Sequence, residues 1–210
     1  MQDGRSPWPG TLAAGAALVL GAWMLQGGGK HLLPPAPTAD QAFGGVPGSV
    51  VFAPPRSRAV PTRIRIPVLQ VDAPVTGLGL GAGGQLEAPS DTDRNLAGWY
   101  RGGVTPGQRG TAIMAGHVDT RRGPAVFYRL GTLRKGDQLE VTGADRGSAF
   151  FVVDAVEVYR KKDFPDAKVY GAAPGSQLRI ITCGGGFTEQ NGYDGNVVVF
   201  AHLVRGVSGG

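Results

Sequence analysis

From residue 61 onward no apolar pattern with a helical period persists beyond two turns, while short runs of apolar, often β-branched residues recur between glycine and proline. Residues 63–71 (RIRIPVLQV) alternate apolar and polar side chains, as a half-buried strand does, with Pro67 at a break or edge. Residues 75–80 run into the turn signal Gly81-Ala82-Gly83-Gly84, and residues 111–117 (TAIMAGH) form a small-residue run ending on a histidine. Residues 133–141 have the form of a tight turn feeding a strand. Residues 149–159 (AFFVVDAVEVY) carry the strongest strand signal, long and bent, and residues 178–183 and 197–203 complete the set. Residues 93–100 (DRNLAGWY) read as a short helical turn and residues 124–130 as a brief helix or turn. The chain is therefore mostly β, with seven or eight short strands. Closing them into a barrel, fully or nearly, is the economical way to protect so many edges.

The N-terminal part is different in kind. No charged residue lies between Arg5 and Lys30, and residues 11–25 (TLAAGAALVLGAWML) are almost wholly apolar. At about 1.5 Å rise per residue the stretch from Trp8 to Gln26 approaches the ~30 Å hydrocarbon thickness of a bilayer. It reads as an anchor over residues 1–26, or as a signal peptide with a short basic leader. The lack of a small-x-small cleavage site before the prolines at 34, 35 and 37 favours the anchor. Residues 27–60 are rich in Pro, Gly, Ala and Ser without periodicity, the composition of a partly extended linker. The folded domain is expected over residues 61–205, with a loose tail at 206–210.

The 36 glycines and 16 prolines, about a quarter of the chain, are divided between that linker and the turns. A single cysteine excludes an intramolecular disulfide, and three scattered histidines supply no evident zinc ligand set, so neither metal nor cofactor is expected. No acidic cluster resembles a calcium loop. The net charge of +5 is not gathered into a basic stripe interleaved with aromatic residues, which argues against nucleic acid and suits an anionic membrane or wall.

Cys183 ends the apolar run Leu178-Arg179-Ile180-Ile181-Thr182 and is followed by Gly184-Gly185-Gly186; His117 ends the run Ala112-Ile113-Met114-Ala115-Gly116. A free cysteine is ordinarily a small buried hydrophobe. At the end of a strand beside glycine, with a histidine in the same kind of position, it suits a nucleophile whose proton an imidazole manages, and the chemistry is acyl transfer. His202, within the last run, reads as a solvent-facing or satisfied strand residue.

Taken together, Ala115-Gly116-His117-Val118-Asp119, Ile181-Thr182-Cys183-Gly184-Gly185-Gly186-Phe187 and Val197-Val198-Val199-Phe200-Ala201 resemble, in order and spacing, the sortase family of cysteine transpeptidases. The wording is most similar to class F of actinobacteria, with class E next, and the resemblance covers residues 64–203. It implies an eight-stranded sortase-type β-barrel with short helices, preceded by a transmembrane helix and a Pro/Gly-rich spacer, with the catalytic domain outside a Gram-positive cell membrane. It implies that Cys183 attacks the Thr-Gly carbonyl of an LPXTG-like sorting signal on a secreted protein, and that His117 acts as general acid and then base. An amine acceptor, such as a peptidoglycan precursor, resolves the thioacyl enzyme. Resolution by water, giving a cysteine peptidase, and a non-catalytic wall- or peptide-binding barrel are the alternatives.

The family's third residue is an arginine on the strand after the cysteine, and counting back from Phe200-Ala201 places Asn196 there. Its amide can donate a hydrogen bond but brings no positive charge. Arg179, four residues before Cys183 and on the same side of its strand, is a candidate substitute about 13 Å away by strand rise. Arg94 and Arg101 reach the groove only if their segment folds over it. Asp119 is a candidate to orient His117, with a loop cap the competing role, and Thr182 to support the cysteine loop.

Overall fold

In a computed structural model, residues 33–44, 53–207 and 209 are described. The expected anchor lies outside the described residues, and among these no helix is long and apolar enough to cross a membrane. Ten strands form: β1 (Pro61–Ile66), β2 (Val71–Leu78), β3 (Ala97–Tyr100), β4 (Gly110–Gly116), β5 (Asp119–Thr120), β6 (Gly123–Pro124), β7 (Gln138–Gly143), β8 (Ser148–Arg160), β9 (Ser176–Thr188) and β10 (Gly192–Val207). Eight of them close into a barrel in the order β1-β2-β3-β4-β9-β10-β8-β7, and β5 and β6 pair separately as a small hairpin. The mostly-β, eight-stranded expectation is met. The one α-helix among the described residues, α1 (Asp166–Tyr170), is short.

Strand alternation explains the barrel. In β1, Ile64 and Ile66 are fully buried while Arg63 and Arg65 stay outside with Asp72 and Glu140. Pro67 opens a 3-10 turn, Pro67–Leu69, that ends with Gln70 in the left-handed region (φ 58°), and the chain reverses into β2. The interior is filled by Ile64, Trp99, Met114, Phe127, Phe151, Leu178, Ile180 and Val199, among others. Removing a buried ring or isobutyl group of this kind costs about 3–5 kcal/mol.

Residues 93–100 differ from the expected helical turn, because residues 97–100 are strand β3. It pairs parallel to β2 through Val75↔Ala97 and antiparallel to β4 through Ala97↔Gly116. Two partner strands with open edges outweigh a weak local preference. Gly98 is needed there, since a Cβ would come within 2.4 Å of the Leu78 side chain.

Parts of the stretch read as linker lie on the domain. Gln41 is buried and donates through Nε2 to the carbonyls of Gly131 (3.1 Å) and Leu133. The Phe43 amide donates to Glu157 (3.0 Å), and its ring meets Phe200 edge-on at 5.0 Å. Further along, the Ala53 amide bonds to Leu203 O and Arg56 pairs with Asp145 at 2.9 Å.

The outer face of β4, β9, β10 and β8 is also covered. Ile113, Ala155, Ile181, Val198 and Phe200 form a second apolar cluster there with Val169 of α1, flanked by Leu86, Tyr100, Tyr159 and Phe164. This is why β9 reads as a continuous apolar run: both of its faces are buried.

Candidate active site

The two faces of β9 are assigned by their neighbours. Leu178 and Ile180 belong to the barrel interior and Ile181 to the outer cluster, so by alternation Arg179, Ile181 and Cys183 share the outer face. The antiparallel register with β10 pairs Cys183 with Asn196, and that with β8 pairs Asn196 with Tyr159. Directly paired residues on one face have Cβ atoms ~5 Å apart, so Cys183, Asn196 and Tyr159 form a row across three strands. The adjacent row, Ile181, Val198 and Glu157, is apolar where it meets the cysteine.

β4 lies parallel to β9, with Ile113↔Arg179 and Ala115↔Ile181 in register. His117 and Cys183 each follow two residues after that last pair, His117 one step past the end of β4. A hydrogen bond fixes this junction: Thr182 Oγ1, nearly fully buried, donates to Gly116 O at 2.8 Å. Gly116 is the only residue type that fits, as a Cβ would lie 2.6 Å from the Phe127 ring and 2.8 Å from Val126. The Phe127 amide then holds His117 O at 3.0 Å, so the backbone carrying the imidazole is tied on both sides.

The imidazole is itself oriented. His117 Nε2 lies 2.8 Å from the carbonyl of Pro89, in the long loop between β2 and β3. A carbonyl only accepts, so Nε2 carries the proton and Nδ1 is left as the basic nitrogen. That loop is fastened to the β5–β6 hairpin by Arg122, which donates to Thr92 O, and by Arg94, which donates to Arg122 O at 3.0 Å. Asp119, on the same hairpin, accepts from the Tyr193 hydroxyl at 2.5 Å. Burial and this carboxylate together push the Tyr193 phenol well above its usual range.

Cys183 is half-buried. Burial raises its thiol pKa, the ammonium of Lys161 works against that rise, and the Asp119 carboxylate adds to it. The glycines after it serve the β9–β10 hairpin. A Cβ on Gly184 would meet Val197 at 2.7 Å, Gly185 adopts φ 86°, and the Gly186 amide donates to Asp194 at 2.7 Å.

Arg179 is only 6% exposed. Its guanidinium donates to Gln177 Oε1 (2.6 Å) and Leu178 O (3.3 Å), stacks on the Phe200 ring at 4.5 Å, and so turns toward the start of β9, away from Cys183. Burial lowers its pKa to about 10 against the opposing pull of Asp154. Arg101 lies against Gly77 and Gly79 at the end of β2. Among the described residues no group of three or more His, Cys, Asp and Glu is placed to hold a metal ion. Pro89, Tyr159, Lys161, Arg122 and Tyr193 are site neighbours that sequence reasoning missed. Only Tyr193, close after the cysteine, lies near enough in sequence to have been singled out.

Comparison with known proteins agrees with this fold. No curated protein sequence matches the chain. Among solved structures, sortase A from Corynebacterium diphtheriae has a TM-score of 0.52 at 22% identity over 71% of this chain, which spans 62% of that protein's length. Sortase A of Listeria monocytogenes gives 0.52 at 17% identity, covering 72% of this chain and 91% of the other. Sortase E1 from Streptomyces coelicolor, solved with a tripeptide in the active site, gives 0.51 at 21% identity, covering 72% and 91%. At these identities the likeness is one of fold. The sortase domain model matches residues 64–204, which is most of the chain, and the chain therefore belongs to the sortase family.

Proposed function

We propose that the chain is a sortase-type cysteine transpeptidase, of class F or its neighbour class E, acting on an LPXTG-like sorting signal. The observation that supports this reading is the pairing of β4 with β9, in which the hydrogen-bonded Gly116 and Thr182 directly precede His117 and Cys183. A sorting-signal peptide lying beside the cysteine presents a carbonyl to the sulfur. The Cys183 thiol passes its proton to Nδ1 of His117, the thiolate attacks that carbonyl carbon and the electron pair moves to oxygen, where the Asn196 amide, paired with Cys183 by register, is a side-chain donor. Collapse of the tetrahedral adduct breaks the C–N bond. His117 gives its proton to the departing amine, and the acyl group remains as a thioester. An incoming amine loses its proton to His117 as it attacks the thioester, and the sulfur departs as thiolate.

On this reading residues 1–26 anchor the protein in the cell membrane and residues 27–60 connect the anchor to the catalytic domain, residues 61–205, on the extracytoplasmic side. The acceptor is then an amine of the wall, such as a peptidoglycan precursor. The test is incubation of the chain with an LPXTG-like or LAXTG-like peptide, with and without an added amine. Transpeptidation product that needs Cys183 and the amine is the expected result. Cleavage that ignores the amine makes the chain a peptidase, and peptide binding with no cleavage makes it a non-catalytic barrel.

A further inference from the structure

The loop between β2 and β3, residues 79–96, delivers the carbonyl that holds the imidazole, and little packing keeps it there. From Glu87 to Asn95 every residue is exposed except Pro89, which is buried and whose carbonyl lies 2.8 Å from His117 Nε2. A segment with so few buried contacts takes its conformation from its polar fastenings. Near its start the Glu87 amide donates to Gly79 O at 3.1 Å, and the Glu87 carboxylate accepts from the Gly79 amide at 2.9 Å. Near its end Asn95 Nδ2 donates to Asp72 O at 2.9 Å.

Between these ends two arginines cross in opposite directions. Arg122, in the turn of the β5–β6 hairpin, donates from Nη2 to the carbonyls of Asp91 (3.4 Å) and Thr92, and Arg94, in the loop, donates to Arg122 O at 3.0 Å. The hairpin is itself built onto the segment that carries the imidazole. Asp119 pairs with Pro124, the Ala125 amide donates to Val118 O and the Phe127 amide to His117 O, both at 3.0 Å, and the Arg122 amide donates to Thr120 Oγ1 at 3.2 Å. The chain that bears His117 and the chain that bears its carbonyl acceptor are therefore joined twice, once at Nε2 and once through Arg122. A guanidinium stays charged at any working pH and offers several N–H groups in a fixed plane, so one side chain can hold two successive carbonyls.

We propose that Arg122 is a positioning residue for His117: by holding the backbone at Asp91 and Thr92 it keeps the Pro89 carbonyl on Nε2, which fixes the ring and leaves Nδ1 as the nitrogen that exchanges a proton with the thiol and the amine. This rests on His117 being the acid and base of the function proposed above. Arg122 touches no reacting atom. Its effect passes through two backbone carbonyls, and Arg94 supports the same contact from the opposite side.

The experiment follows the ring N–H of His117 by NMR in the full-length chain labelled with nitrogen-15 histidine, its signal assigned with His117→Gln, and measures peptide transfer and Tm alongside. Wild type is expected to show an Nε2–H signal, because a proton bonded to a protein carbonyl exchanges slowly with water. Arg122→Gln is expected to lose that signal by exchange and to lower kcat about tenfold with KM unchanged, as a misplaced acid–base group does. Its Tm is expected to stay at the wild-type value, since an exposed side chain contributes little to the barrel. Arg122→Lys, which keeps a charged donor, is expected to recover part of both the signal and the rate, and Arg121→Gln, on the same turn, to change neither. An Nε2–H signal that persists in Arg122→Gln overturns the proposal, as does a rate loss that comes with a lowered Tm and an intact signal. The ring signal needs no substrate, so its loss in Arg122→Gln together with an absence of peptide transfer in wild type refutes the transpeptidase reading alone.

Discussion

Thr182→Val tests whether the β4–β9 junction is what assembles the site. The substitution keeps the volume and β-branching of the side chain and removes only the hydroxyl that donates to Gly116 O at 2.8 Å. Thr182 is 4% exposed, so water does not replace the lost donor at its own position. A buried hydrogen bond contributes about 0.5–1.5 kcal/mol net, and a partner left without its donor costs about 1–3 kcal/mol. A loss of about 2 kcal/mol in unfolding free energy is therefore expected in urea titration. Gly116 is the residue before His117, and a shift of its carbonyl moves the imidazole relative to the sulfur. A kcat/KM for peptide transfer lower by about tenfold follows, carried by kcat because the substitution is at a buried position and misplaces the imidazole. Thr182→Ser retains the hydroxyl and is expected to recover most of the rate, losing only the packing of one methyl. If the valine variant matches wild type in both stability and turnover, the hydrogen bond does not hold the two strand ends together and the argument fails.

Gly116→Ala places a methyl 2.6 Å from the Phe127 ring, and overpacking of this kind costs about 1–3 kcal/mol, read as a lowered Tm in calorimetry. Asp119→Asn removes a carboxylate that raises the Cys183 thiol, so the pH midpoint of iodoacetamide alkylation of Cys183 is expected to fall; a rise would show that Asp119 acts on the site through Tyr193 instead. Phe43→Ala deletes the ring that meets Phe200 edge-on at 5.0 Å, and residues 34–44 are expected to become cleavable in limited proteolysis while the barrel stays folded. An unchanged digestion pattern would mean that Gln41, through its two carbonyl partners, holds that segment unaided.

The strands were legible because each face of a strand has its own solvent, and a chain that alternates Ile64 and Ile66 with Arg63 and Arg65 declares which side is which. The glycine at 116 and the cysteine and histidine at run ends were equally plain, since residue type and position along an element are local properties. Strand β3 was not, because Ala97-Gly98-Trp99-Tyr100 has no pattern of its own and becomes a strand only between two partners that come from elsewhere in the chain. The same holds for residues 34–44, whose composition describes a linker but whose Gln41 and Phe43 find partners on the barrel.

The site divides along the same line. Sequence by itself determined the chemistry available, a thiol and an imidazole each at the end of an apolar run, and it named Asn196 as the odd residue. It did not determine what stands next to what. The pairing of Cys183 with Asn196, the Pro89 carbonyl that sets the tautomer of His117, the diversion of Asp119 to Tyr193 and the turning of Arg179 away from the sulfur were decided only by tertiary structure. The physical reason is that register across a barrel joins residues tens of positions apart. A backbone carbonyl carries no residue-type signal, and the field at a thiol depends on distances that no one-dimensional pattern contains.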